Sequence, residues 1–251
     1  MITYDLSFFA LAIPAVIFAG ISKAGFGSGA AFAAAAILAL VLPPGLALGV
    51  MLPLLMLVDV AALRPYWGKW HGPSATWLIL GAVPGVAIAA WIYAQVSPDA
   101  FRVLIGLICL AFVAYQLIQV RGFLGQKAWP FSRFWGSVAG IAAGFTSFVS
   151  HAGGPPVAVY LLGQGMSKTA YQATTVITFW VINILKFVPY AYLGIFSWES
   201  FKADLILAPF ALLGAFLGVK AHFWVSEKVF FALTYVLLVV TGLRLLWLGL
   251  T

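Results

Sequence analysis

Apolar residues run along this chain in long blocks separated by short polar punctuation, and two of those blocks are broken internally by glycine. The first block extends from Leu6 to Leu42, longer than the roughly 20 residues that one membrane crossing needs. It is interrupted at Gly20 to Gly29 by GISKAGFGSG. This pattern predicts a broken element, either a re-entrant hairpin or two abutting helices, ended by Pro43-Pro44-Gly45. Three uninterrupted blocks follow, over Leu46–Leu63, Ser74–Gln95 and Phe101–Val120. Ser97-Pro98-Asp99 reads as a helix start, with Ser97 as the cap and proline in the first turn.

A polar connection, Arg121 to Arg133, comes next, and then the pattern restarts. Trp135 to Leu162 is a second broken run, interrupted between Gly144 and Pro156 by GFTSFVSHAGGPP. Three more blocks close the chain: Thr169–Leu193, Phe201–Phe223 and, behind a Ser226-Glu227 start signal, Val229–Leu250. A shift of 124 residues lays Gly20 on Gly144, Asp59 on Asn183 and Pro65-Tyr66 on Pro189-Tyr190. A shift of 129 lays Gly85 on Gly214 and Ser97 on Ser226. The order of elements therefore predicts an internal duplication: residues 1–120 as a first transmembrane repeat, 121–133 as a cytoplasmic linker and 134–251 as a second repeat.

Composition turns this pattern into a membrane protein. Of 251 residues, 64% are hydrophobic and only 8% charged, where a soluble domain keeps roughly 25% charged. The net charge of +7 would point to nucleic acid in a soluble protein; here basic residues fix orientation, and no nucleic-acid partner is expected. Arg64, Lys69, Arg121, Lys127 and Arg133 cluster in two loops separated by two crossings, which places both loops in the cytoplasm. The corresponding loop of the second copy, near Ser197 to Lys202, has no basic excess, as an inverted copy requires. The N-terminal MITYDLSFFA carries Asp5 and no basic region, so the first run is read as retained and not as a cleaved leader. The expected fold is all-α and polytopic, with two inverted repeats, each a broken or re-entrant element plus three transmembrane helices.

Backbone that leaves helical geometry at membrane depth must be covered by protein or line a wet cavity. Helix ends at such breaks aim N–H groups and a partial positive dipole at what lies between them, which favours an anion. Lys23 costs roughly 2.5 to 3.5 kcal/mol at that depth, which marks it as functional unless it snorkels to an interface. The anion-binding candidates are Ser22, Lys23, Gly25, Gly27, Ser28 and Gly29 from the first break, and Thr146, Ser147, Ser150, His151, Gly153 and Gly154 from the second. The plainer reading of each hydroxyl is a bond to a carbonyl one turn back. His151, with an unperturbed pKa near 6.5, is the candidate for proton coupling, against a structural histidine. Asp59, Asn183 and Lys186 are candidates for coupling or gating: Asp59 either pairs with Lys23 or ends a helix near the interface. No metal or cofactor site is expected, because His71, His151 and His222 fall in separate segments and Cys109 is isolated in an apolar helix. Ser28 with His151 loosely suggests an intramembrane serine protease, but Phe26 stands where that signature has glycine.

GISKAGFGSGAAF, LPLLMLVDVAALRPYWGKW and AGFTSFVSHAGGPPVAVYLL together resemble the sulfite exporter TauE/SafE family of membrane permeases across nearly the whole chain. The resemblance implies a polytopic transporter of the bacterial inner membrane, not an enzyme, moving sulfite, sulfonates or related small sulfur-containing anions outward. It carries over Lys23 with its glycines, Asp59, Arg64-Pro65 and His151-Ala152-Gly153-Gly154-Pro155-Pro156. The expected mechanism is alternating access, with the anion held between the two breaks. An anion channel of the same architecture is the alternative.

Overall fold

A computed structural model describes residues 5–25, 31–120, 130–221 and 227–251. These residues form ten helices: α1 Leu6–Gly25, α2 Phe32–Leu38, α3 Pro44–Tyr66, α4 Gly72–Gln95, α5 Pro98–Val120, α6 Arg133–Ser150, α7 Gly154–Leu162, α8 Lys168–Tyr192, α9 Trp198–Ala221 and α10 Glu227–Leu250. The predicted blocks are all present, with ends displaced by a few residues because capping groups, not apolar content, set them. Ser97 Oγ accepts from the Ala100 N–H at 3.1 Å to start α5, and Ser132 and Ser167 start α6 and α8 in the same way. Asp5 opens α1, its carboxylate accepting from the Phe8 N–H at 2.8 Å and the Ser7 hydroxyl at 2.7 Å. Those bonds hold its carboxyl below the usual carboxylate range. The Ser226 start signal lies outside the described residues.

Seven of the described helices are long and apolar enough to cross a membrane: α1, α3, α4, α5, α8, α9 and α10. Helix satisfies every backbone donor and acceptor within the segment, which is what lipid demands. Apolar side chains such as Leu80, Trp91, Val188 and Val240 face outward. The interior is built largely from alanine, glycine and leucine, so packing and not solvent exclusion holds the helices together.

Glycine decides which helices touch. Gly81 and Gly85 of α4 abut the Ser137 and Ile141 backbones of α6, while Gly214 and Gly218 of α9 abut Ile17 and Ile21 of α1. In each case a Cβ would overlap the neighbouring main chain, so only glycine permits the approach. The register runs in one direction within each of these pairs, so α4 lies parallel to α6 and α9 parallel to α1. Two other pairs run antiparallel. In α5 and α10, Gly106 meets Gly242 while Asp99 meets Gly249. In α3 and α8, Asp59 meets Asn183, and Ala62 and Leu63 pack with Val176.

These directions place both hairpins. The Tyr160 hydroxyl at the far end of α7 donates to the Ser132 carbonyl at the start of α6, at 3.0 Å. The α6–α7 segment thus enters and leaves by one end of the bundle, the end where α3 finishes and α8 begins. There the His71 N–H, beyond α3, meets Thr174 Oγ1 of α8 at 2.9 Å. The α1–α2 segment opens and closes at the opposite end, where α9 and α3 both begin.

Helix persists further into both expected breaks than the glycine content suggests. In the first, α1 continues through Gly20 to Gly25, both held by contact with α9, and residues 26–30 lie outside the described residues. The second is confined to His151, Ala152 and Gly153.

Candidate functional site

Each polar group at the core is placed by helical spacing. Leu55 and Asp59 stand four residues apart on α3 and so share a stripe. The Lys23 ammonium, in the last turn of α1, meets both: Nζ lies 2.6 Å from Asp59 Oδ1 and donates to the Leu55 carbonyl at 3.2 Å. Lys23 is therefore paired with Asp59 and does not snorkel, at 5% exposure. The other Asp59 oxygen accepts from Asn183 Nδ2 at 2.6 Å. Asp59 and Asn183, matched by the 124-residue shift, thus touch one another.

On α8, Asn183, Lys186 and Tyr190 form a second stripe at spacings of three and four. Lys186, fully buried, crosses to the tip of the α6–α7 hairpin. Its three N–H bonds are all used: to the Ser147 carbonyl at 3.1 Å, Ser147 Oγ at 3.0 Å and His151 Nδ1 at 2.9 Å. Tyr190 donates to the Phe148 carbonyl at 2.6 Å and clamps the same turn. With Lys186 as an ammonium, which has no acceptor, His151 Nδ1 is the lone-pair nitrogen and the ring proton sits on Nε2. That Nε2 is buried without a hydrogen-bond partner, as is Thr178 Oγ1 on α8. No carboxylate of the described residues lies within salt-bridge distance of Lys186.

The tip itself is strained. His151 has φ 57°, and it is the one non-glycine residue at positive φ among the described residues. Its N–H bonds to the Ser147 carbonyl at 2.9 Å and the Ala152 N–H to Thr146 at 3.1 Å. This pair of bonds closes a helix in the manner that usually selects glycine. Gly153 follows because a Cβ there would sit 2.9 Å from the Ala143 carbonyl and 3.0 Å from Ser147 Cβ.

The expected site residues divide accordingly. Lys23, Asp59 and Asn183 form one buried group and Lys186, Ser147 and His151 a second, and the two share α8, where Asn183 and Lys186 stand three residues apart. Thr146 Oγ1 donates to Ala142 at 2.7 Å and Ser150 Oγ to Thr146 at 3.3 Å, the bonds one turn back that helical hydroxyls make. Ser22 and Gly154 are buried as well, and Gly25 packs on Gly218. Gly27, Ser28 and Gly29 lie outside the described residues, and with them the Ser28–His151 pairing. A cavity of about 330 Å³ opens near the end of the bundle where α3, α5 and α9 begin, lined by Pro43–Leu46, Tyr93, Ser97, Phe101 and Ser197 among others. Its lining includes none of the expected site residues.

The sequence did not mark Thr178, Tyr190 or Gln172 as site residues; Tyr190 is named above only for its match to Tyr66, and Gln172 Nε2 donates to the Lys23 carbonyl at 3.4 Å. Tyr190 was within reach, since it continues the Asn183–Lys186 stripe by one more turn.

No curated protein and no solved structure matches the chain. The family model described as sulfite exporter TauE/SafE matches residues 12–245, from α1 into α10 and through both hairpins. With seven apolar helices of spanning length and that match, this is a multi-pass membrane protein of the transporter class, and the chain belongs to the sulfite exporter TauE/SafE family.

Proposed function

We propose that the protein carries small sulfur-containing anions out of the cell by alternating access, binding them between the tips of its two hairpins. The observation that carries this reading is Lys186: a buried ammonium, held by neutral acceptors at a strained hairpin tip, beside a second lysine whose charge Asp59 already balances. A cation buried without a counter-charge is costly. A substrate anion is the partner that makes such a residue useful. Hydroxyl and amide groups at the tip, with Ser147 foremost, supply further donors to its oxygens.

Two-fold exchange supports the transport mechanism. Residues α1–α5 and α6–α10 repeat one order of helix lengths, and α4 packs on α6 as α9 packs on α1. Elements matched between the halves, α3 with α8 and α5 with α10, meet antiparallel. An axis relating them lies across the helices, in the plane of a membrane, as inverted repeats require. On this reading the halves divide at 121–133. Arg64, Lys69, Arg133, Lys168 and Lys220 stand at one end, which is the cytoplasmic one by charge. Rocking of one half against the other opens the site to each face in turn.

The decisive experiment is uptake of labelled sulfite and a labelled sulfonate into proteoliposomes. Lys186→Gln is expected to lower flux by at least about 100-fold, matching loss of a charge-assisted contact of roughly 3 kcal/mol. Wild-type flux in a correctly inserted Lys186→Gln protein sinks the site.

His151 is the proposed proton-coupling group. It faces Lys186 and Tyr190 directly, with Lys23 near enough to act on it electrostatically. An imposed pH gradient that leaves flux unchanged removes that role.

A further inference from the structure

Resting on the transport reading above, the charge arrangement at the hairpin tips says more about the cargo than its size. The two buried polar groups contain four titratable side chains. Lys23 and Asp59 cancel, at 2.6 Å. With Lys186 an ammonium, His151 accepts from it at Nδ1 and is neutral. Lys186 alone is left, so the cluster carries one net positive charge. Residues 26–30, between α1 and α2 in the chain, read FGSGA and include no charged side chain. The other buried carboxylate, Asp204, lies elsewhere. In the α1–α9 register that sets Ile17 against Gly214, position 204 falls beside position 7, roughly 24 Å along the helix from Lys23.

We infer that the closed Lys23–Asp59 pair beside the uncompensated Lys186 makes the site selective for singly charged oxyanions, sulfonates and hydrogensulfite, over doubly charged ones such as sulfate. A monoanion brings the dehydrated cluster to neutrality. A dianion leaves one negative charge buried with no partner, and an unpaired buried charge costs far more than a hydrogen bond. Asp59 is then a specificity-determining residue that keeps Lys23 from adding to the attraction. Its bond to Asn183 holds it in that role from the opposite half.

The test is competition for transport in proteoliposomes near pH 8, where histidine is neutral, using methanesulfonate and sulfate, whose charges are fixed at that pH. In the wild type, methanesulfonate competes at least about tenfold better than sulfate. Asp59→Asn raises the net charge to two and shifts the ratio toward sulfate by at least about tenfold. The neutral double variant Lys23→Gln/Asp59→Asn restores a net charge of one and returns the ratio to the wild-type side. Equal or better competition by sulfate in the wild type overturns the inference while leaving transport standing. So does a double variant that shifts toward sulfate as far as Asp59→Asn does. Failure of both anions to compete, together with no transport of labelled sulfite or sulfonate, overturns the transport reading as well.

Discussion

His151 sits where a helix normally ends in glycine, and two consequences separate its backbone from its ring. The left-handed conformation costs an L-residue about 1 to 2 kcal/mol that glycine does not incur. His151→Gly and His151→Ala both remove the acceptor of Lys186, so the ring's contribution cancels between them. His151→Ala is expected to be less stable than His151→Gly by about 1 kcal/mol in thermal unfolding in detergent. Equal melting temperatures would mean the turn is not left-handed. The residue types at this site were legible in the chain, because lysine, aspartate and histidine at membrane depth stand out. Their division of labour was not. Lys23 draws attention by its glycine-rich setting, whereas the unpaired cation is Lys186, which in the first half corresponds to an alanine and so leaves no repeated signal. The 124-residue shift paired Asp59 with Asn183 in sequence, and the two side chains meet at 2.6 Å.

At the level of whole helices, glycine in this fold mainly lets helix approach helix. The signal was present as spacing: Gly136, Gly140 and Gly144 recur every four residues, as do Gly81 with Gly85 and Gly214 with Gly218. Small residues four apart form a stripe that admits a neighbouring main chain. Gly214→Val, which forces a side chain onto the Ile17 backbone, should therefore destabilise the fold by about 1 to 3 kcal/mol or more. Gly72→Ala, with nothing within 4 Å of its added Cβ, should be neutral. Melting curves of the two purified variants test the pair; similar losses would refute the α1–α9 contact. Which glycines sit in helices and which break them depends on the neighbour, and no local pattern records the neighbour.

For the whole molecule, the order of blocks gave two broken elements and six spans, and the expected inverted repeat has the broken elements enter from opposite sides; what the chain did not show is which helices pack on them. Tertiary contact supplies that: α1 lies parallel to α9, α6 parallel to α4. The basic residues Lys69 and Lys168 should face one side of the membrane, Asp99 and Lys202 the other. Because Cys109 is buried, single cysteines placed at these four sites can be read against a silent background. A membrane-impermeant maleimide should label the first two from the cytoplasmic side only and the second two from outside only. Labelling of all four from one side would overturn the arrangement.

The exchange of partners between halves also sets a timetable for biosynthesis. The contact face of α1 is α9, whose meeting residues Gly214 and Gly218 follow Ile17 and Ile21 by 197 positions. At roughly 5 to 20 residues per second, α1 emerges and then waits on the order of ten to forty seconds for the surface that covers it. Until then its glycine-lined flank is open to lipid and to any other nascent helix. The first half therefore has no complete interior of its own, and a chain cut within residues 121–129 should yield two fragments that accumulate only when made together.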